Sequence, residues 1–288
     1  SSGSTGVLGC SVMRARLSGG AAALVGDSVG PVTDPTFDDR KLSFGAAASS
    51  YADHRPGYPA AAVAWVLDGA TRPVRDVADV GAGAGALTRT LVDLVDDVTA
   101  FEPDAAMLEQ LAARVPGVRT VVSAAERLPV DDDSLDAVLA AQAWHWFDHA
   151  AAAAEFARVL RPGGVIGLLW NVRDTRVGWM AALQDIIGGE DSMRMVAESS
   201  QDLSERAGTE EIREFLPAVE RASFAHTVPV TPDGLLDLVS TYSYVRLSPR
   251  ADQLYAAVRE LLATHPETAG REVLDMPYVT ATYRSPAP

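Results

Sequence analysis

The 288-residue sequence predicts an α/β fold: a Rossmann-like, doubly wound sheet of seven mostly parallel strands, with an antiparallel edge and a small helical cap. Three observations carry that prediction. Short Val-rich segments alternate with longer helical patterns from about residue 74 onward. A glycine run, Asp79-Val80-Gly81-Ala82-Gly83-Ala84-Gly85, stands where the first Val-rich segment gives way to a helical one. The C-terminal third then changes to alternating segments around a helical pair. Strands separated by helical stretches imply crossover connections and a parallel sheet covered on both faces.

Residues 1–36 are rich in Gly, Ser and Ala, carry Pro31 and Pro35, and show no sustained apolar period, so they read as a flexible arm. Residues 37–288 read as a single domain, with 37–175 as a ligand-binding core and 176–288 as a C-terminal part supplying cap and sheet edge. The two prolines of His54-Arg55-Pro56-Gly57-Tyr58-Pro59 forbid a continuous helix and place Tyr51 and Arg55 just outside a helix start. Strands are expected over Val74–Val80, Asp97–Phe101, Val118–Val122, Leu135–Ala140 and Val165–Asn171. Helices are expected over Ala86–Leu94, Asp104–Arg114 and Ala150–Leu160. Arg161-Pro162-Gly163-Gly164 reads as a turn into the fifth strand, because proline and glycine fix its backbone. Beyond it, Val177–Ile187 looks helical and Ser192–Ala207 a polar helix or loop. Glu220–Val230 alternates like a strand, Asp233–Tyr244 and Ala251–Thr264 are amphipathic, and Glu272–Tyr283 alternates again.

Composition narrows the functional classes. A 48% hydrophobic content allows a large core, while a net charge of −15 and a pI near 4.7 oppose binding to nucleic-acid phosphates or anionic lipid. The only cysteine is Cys10, so neither an intramolecular disulfide nor a cysteine metal site can form, and a reducing, cytoplasmic location is expected. The apolar runs Val165–Trp170 and Ala150–Ala154 fall short of the ~20 residues that span a bilayer. His54, Asp148, His149, His226 and His265 lack metal-ligand spacing, so no metal is expected.

The glycine run lies where open α/β sheets bind ligands. A Cβ there would hold the backbone away from a nucleotide-like ligand, and some positions need positive φ. With Ala86 as its last member the run also fits the dinucleotide fingerprint G-x-G-x-x-A, and a plain tight turn would look the same. Glu102 ends the next strand, 21 residues after Gly81, where a carboxylate can accept hydrogen bonds from both hydroxyls of a ribose or simply face solvent. Asp79 can face an ammonium group or merely position the glycine loop.

Further motifs extend the pattern: Tyr51 with Arg55-Pro56-Gly57-Tyr58-Pro59, Phe101-Glu102-Pro103-Asp104 with Met107-Leu108, and Ala125-Glu126-Arg127-Leu128-Pro129. Ala141-Gln142-Ala143-Trp144-His145-Trp146-Phe147, Arg161-Pro162-Gly163-Gly164 and Trp170-Asn171 follow in order. From Phe44 to Asp174, and more weakly to the C-terminus, the chain resembles the class I S-adenosylmethionine-dependent methyltransferases. The likeness is greatest to the small-molecule branch that includes trans-aconitate methyltransferase-like and ubiquinone-biosynthesis-like enzymes.

The resemblance implies S-adenosyl-L-methionine as cofactor and S-adenosyl-L-homocysteine as product. It implies that Gly81, Ala82, Gly83 and Gly85 pass under the methionyl and ribose portion, that Asp79 faces the methionyl ammonium, and that Glu102 and Pro103 flank the ribose. Met107, Ala124, Ala125 and Glu126 are implied beside the adenine, and Gln142 and Ala143 along the cofactor near its methyl. Tyr51 and Arg55 look like an N-terminal lid, Arg55 being suited to a carboxylate through its guanidinium fork. Many relatives carry an Asp before the Ala-Glu pair; here Ser123 precedes Ala124, so a hydroxyl or a backbone carbonyl must meet the adenine amino group.

A sulfonium methyl is already activated, so alignment, worth ~7 to 11 kcal/mol, outweighs a general base. His145 is the one candidate catalytic base, with a packing role as its alternative. Trp144, Trp146 and Tyr242 are candidates for the acceptor pocket, and Tyr244 and Arg246 sit beside the last of these; all could equally be core or helix-end packing. A small-molecule acceptor is the expected partner. Alternatives are an adenosylmethionine-binding protein with another reaction or no transfer, and an NAD-dependent oxidoreductase. The latter is disfavoured because no Tyr-x-x-x-Lys or comparable hydride-transfer set is present.

Overall fold

Two crossover runs wind outward in opposite directions from the centre of one sheet. The computed structural model describes residues 56–188, 209–216 and 218–287. The expected arm, the lid residues Tyr51 and Arg55, and the polar segment Ser192–Ala207 lie outside the described residues.

The described chain begins with helix α1 (Ala60–Leu67), followed by β1 (Asp76–Val80), α2 (Thr88–Leu91), β2 (Asp97–Glu102), α3 (Ala105–Arg114), β3 (Arg119–Val122) and β4 (Leu135–Ala141). Helix α4 (His149–Val159) leads into β5 (Leu160–Arg173) and α5 (Gly178–Ile187). Helix α6 (Thr209–Phe215), β6 (Glu220–Val230), α7 (Pro232–Ser240), α8 (Ser243–Arg246), α9 (Ala251–Thr264) and β7 (Leu274–Pro286) complete it. The sheet order is β3-β2-β1-β4-β5-β7-β6, with β7 antiparallel to both β5 and β6 and the other pairs parallel. The seven-stranded, mostly parallel sheet with an antiparallel edge is therefore present.

Strand β4 shows why the parallel strands read as continuous apolar runs. It is buried on both faces, so its side chains alternate between two cores instead of between core and water. Val138 and Ala140 join Phe156 of α4 and Ile212 of α6 on one side. Ala137 and Leu139 join Val63 and Val66 of α1 and Leu91 of α2 on the other. A separate cluster packs α5, α7 and α9 against Leu274, Met276 and Tyr278 of β7. Each fully buried Leu or Phe in these clusters contributes about 1.5–3 kcal/mol through apolar area removed from water. Among the described residues three helix starts are set by side chains: Asp104 Oδ1 accepts from Ala106 N at 2.8 Å before α3, Asp148 Oδ1 from Ala151 N at 3.1 Å before α4, and Thr231 Oγ1 from Gly234 N at 3.0 Å before α7.

Three elements differ from expectation. The helix expected over Ala86–Leu94 is a single turn, Thr88–Leu91, flanked by short-range bonds such as Gly85 N to Ala82 O at 2.9 Å. The helix expected over Asp233–Tyr244 breaks into α7 and α8. The break falls where Thr241 Oγ1 donates back to the Leu238 carbonyl at 2.7 Å. Arg161-Pro162-Gly163-Gly164 does not precede β5 but lies within it, as an irregularity between the pairs Leu135 with Leu160 and Ala137 with Val165.

Candidate active site

Strand β1 pairs with both β2 and β4, so the chain departs from it in opposite directions and leaves a crevice at the carboxyl ends of these strands. A cavity of about 550 Å³ occupies that crevice. Asp79, Gly81, Ala82, Gly83, Gly85, Glu102, Pro103, Met107, Ala124, Ala125, Glu126, Gln142, Ala143 and Trp146 all line it. The structure thus brings together almost every residue that the sequence placed at a cofactor.

The glycine turn hangs from β2: the Gly81 and Ala82 amides donate to Phe101 O at 2.8 and 3.1 Å. Gly81 has φ +69°, and a Cβ on it would lie 2.6 Å from the Ala143 Cβ. Its glycine is therefore required by the protein's own packing. At Gly83 a Cβ would meet nothing within 4 Å, so this is the part of the turn that faces open cavity.

Glu102 Oε2 accepts from Gly83 N at 2.9 Å and Oε1 from Asp104 N at 3.1 Å, so the carboxylate braces both the turn and the start of α3. Asp79 is fully buried. Thr88 Oγ1 donates to its Oδ2 at 2.5 Å, while Oδ1 is buried without a hydrogen-bond partner among the described residues. Burial pushes the Asp79 pKa up to about 7; the Thr88 hydrogen bond opposes this and the Glu102 charge adds to it. A buried carboxyl with one unsatisfied oxygen on a cavity wall is a ready partner for a ligand cation.

Gln142 leaves β4 with φ +50°, an uncommon conformation for a residue with a side chain. Tyr58 Oη donates to its Oε1 at 3.1 Å. Ser123 Oγ lies 2.7 Å from Arg127 O and 3.1 Å from Ala124 O, so its hydroxyl turns into its own loop and away from the cavity. Glu126 Oε1 accepts from Asp148 N at 2.9 Å and fixes the same loop to the start of α4.

Three singled-out residues do not line the cavity. Trp144, expected in the acceptor pocket, is buried: it stacks on His149 at 4.8 Å and 4° and contacts Phe147, Phe156 and Phe215. The one-turn 3₁₀ helix Trp144–Trp146 explains this, since its three residues per turn send neighbouring side chains in different directions. His145 packs on Trp146 at 4.9 Å, with Nδ1 buried and unpartnered among the described residues. Burial, then the nearby His149, pull its pKa down to about 4, so it is neutral at pH 7. Tyr242 lies in the C-terminal helical cluster beneath the Arg173 guanidinium, 5.2 Å from its ring centroid.

Conversely, Pro56, Tyr58 and Phe147, which the motifs contain without an assigned role, line the cavity, as do Arg89 and Arg114, which no motif contains. Tyr58 stood within a quoted motif, but its role depends on Gln142, 84 positions away. Arg89 follows the glycine run on a helix whose facing is set only by packing. Among the described residues there is no group of three or more His, Cys, Asp or Glu suited to a metal, and no helix long and apolar enough to cross a membrane.

A glycine turn and the nearby Asp79 and Glu102 at a central crevice give the sheet the ligand-binding arrangement of a Rossmann-like α/β protein. The methyltransferase domain family matches residues 78–168. The chain is 43% identical over 249 residues to an uncharacterized methyltransferase of Mycobacterium tuberculosis, covering 86% of this chain and 96% of that protein. An uncharacterized methyltransferase of Schizosaccharomyces pombe is 27% identical over 245 residues, 82% of this chain and 94% of its own. The solved structure of a candidate type II methyltransferase from Anaeromyxobacter dehalogenans is 25% identical. It superposes with a TM-score of 0.60 over 81% of this chain and 98% of that one. The chain belongs to the class I S-adenosylmethionine-dependent methyltransferases.

Proposed function

We propose that the enzyme transfers the methyl group of S-adenosyl-L-methionine to an oxygen, nitrogen or carboxylate of a small-molecule acceptor, releasing S-adenosyl-L-homocysteine, chiefly by alignment. The observation that carries this reading is the pairing of Asp79 and Glu102 on one cavity wall on either side of the glycine turn, with Asp79 Oδ1 buried and unpartnered among the described residues. When bound, the cofactor supplies a methyl group already activated by a sulfonium.

The chain's own residues fit such a ligand. Glu102, whose oxygens accept the backbone N–H groups of Gly83 and Asp104, would meet the ribose hydroxyls with the same carboxylate. Asp79 would hold the α-ammonium, and Arg89, on the same cavity, the α-carboxylate, so that acid and guanidinium complement a zwitterion. Met107, Ala124 and Ala125 would flank the adenine, whose amino group would then meet backbone because Ser123 turns away. Gln142, Ala143 and Trp146 would line the path to the acceptor, the Trp146 ring tolerating a nearby cation.

No proton transfer is assigned to His145, because it lies outside the cavity lining. A cavity of about 550 Å³ falls in the range of small-ligand sites, and the net charge of −15 disfavours a nucleic-acid acceptor.

Thermal unfolding with added ligand tests the cofactor. Adenosylhomocysteine at 100 times its Kd should stabilise the protein by about 2.7 kcal/mol, whereas NAD should not shift the midpoint. A shift with NAD alone would overturn the assignment. A complex with adenosylhomocysteine would then show the volume left for the acceptor.

A further inference from the structure

Strand β5 is apolar from Val165 to Trp170, and the next residue, Asn171, is polar and only 6% exposed. A buried polar side chain after such a run needs partners. Asn171 Nδ2 donates to Gly57 O at 3.0 Å and to Pro56 O at 3.4 Å, while its Oδ1 accepts from Thr280 Oγ1 at 2.6 Å, across the ladder in β7. Carbonyl oxygens only accept, so the amide orientation is forced. Thr280 spends its single proton on Asn171, and His226 Nδ1 lies 3.4 Å from the same hydroxyl oxygen. The chain of donors is therefore directed, from Thr280 through Asn171 to the carbonyls of Pro56 and Gly57.

Those carbonyls belong to a stretch without regular secondary structure that forms one wall of the cavity through Pro56 and Tyr58. Irregular backbone that is buried has no ladder to satisfy it, and its position is set by whatever side chains it meets. Two further bonds tie the same stretch down: Tyr58 Oη to Gln142 Oε1 at 3.1 Å and Thr90 Oγ1 to Tyr58 O at 3.0 Å. The three anchors come from β5, from the turn after β4 and from α2.

We propose that Asn171 is a positioning residue for the cofactor site: by holding the carbonyls of Pro56 and Gly57 it fixes Tyr58 against Gln142 and so sets the wall at the methionyl end. This rests on the cofactor reading given above. Asn171 itself does not line the cavity, so any effect on ligand binding must pass through the strap.

Asn171→Leu removes every hydrogen bond at similar volume, and Asn171→Asp keeps the acceptor for Thr280 but turns a carboxylate toward two carbonyls. Both should raise the Kd for adenosylhomocysteine about tenfold in calorimetry, the loss of one to two hydrogen bonds. Both should also speed hydrogen exchange in the peptide spanning Gly57 to Val63. Val258→Ala, a truncation in the C-terminal helical cluster, is the control: it should lower the unfolding midpoint while leaving that Kd and that peptide unchanged. If the Asn171 variants unfold earlier yet keep the wild-type Kd and exchange, the residue is merely structural and the proposal fails. Should Asn171→Leu not fold, Asn171→Asp alone decides by the same two readings. If wild-type protein binds no adenosylhomocysteine, the cofactor reading fails instead.

Discussion

Asp79 ties stability and binding to the same proton. Its carboxyl titrates at about 7 in the folded chain, against an ordinary value of 3.8. Between those values the folded protein keeps a proton that the unfolded chain has released, so this group lowers stability as pH rises from about 4 to about 7. A ligand ammonium beside it favours the ionised form. Affinity for adenosylhomocysteine should therefore rise between about pH 5.5 and 7.5, with proton release on binding, and Asp79→Asn should flatten both effects in calorimetry run in buffers of different ionisation enthalpy. At Glu102 the expectation is simpler. Glu102→Ala removes the ribose acceptor and the brace on Gly83, and should weaken adenosylhomocysteine by about 2 kcal/mol, roughly thirtyfold in Kd; an unchanged Kd would refute its role. Both residues were legible in the sequence because Asp79 stands two positions before Gly81 and Glu102 directly before Pro103, each near a strand end. Arg89 and Tyr58 were not, since their place on the cavity depends on how α2 and the preceding strap pack.

At the scale of elements, the turn between β1 and α2 carries the tightest constraint. Gly81 combines a left-handed backbone with contact to Ala143, which belongs to the turn after β4. Gly81→Ala should cost about 3 kcal/mol, the sum of a left-handed penalty and an overpacked contact, read as a lower urea midpoint at constant slope. An undiminished midpoint would show that the two turns can separate freely. The strands β1 to β5 were readable as Val-rich runs, and β6 matched its expected ends, Glu220–Val230. The helices α3, α4, α5 and α9 fall within a residue of their expected ends, whereas the stretches over 86–94 and 233–244 do not. The break between α7 and α8 turns on the Thr241 hydroxyl competing for the Leu238 carbonyl, a local choice that apolar periodicity does not report. Trp144 and Trp146 differ by two positions and look interchangeable in sequence; the 3₁₀ turn alone sends one into the core and leaves the other on the cavity.

For the molecule as a whole, two opposing pH slopes set an optimum. Asp136, despite burial, is held below its ordinary pKa by the backbone N–H of Asp76, the Arg161 guanidinium and the backbone N–H of Arg75. Glu155 is lowered by Arg158, and Asp174 by Arg176. Carboxylates depressed in the folded state stabilise it above their ordinary values, and that stabilisation is lost as pH falls through the folded values. Asp79 and the repulsion within a chain of net charge −15 act in the other direction as pH rises. The thermal midpoint should be highest near about pH 5 and fall on both sides, and Asp136→Asn should shallow the acid limb; a midpoint rising steadily to pH 8 would contradict this balance. The sequence by itself determined the crossover sheet, the glycine turn and the acidic strand ends, because each is written in neighbouring residues whose backbone preferences and burial period are local. Only the tertiary structure decided that Tyr58 meets Gln142, that Asn171 holds Gly57, and that His145, Trp144 and Tyr242 stand off the cavity. Those outcomes join positions far apart in the chain, and which side chain reaches the crevice is settled by the packing of whole elements against one another.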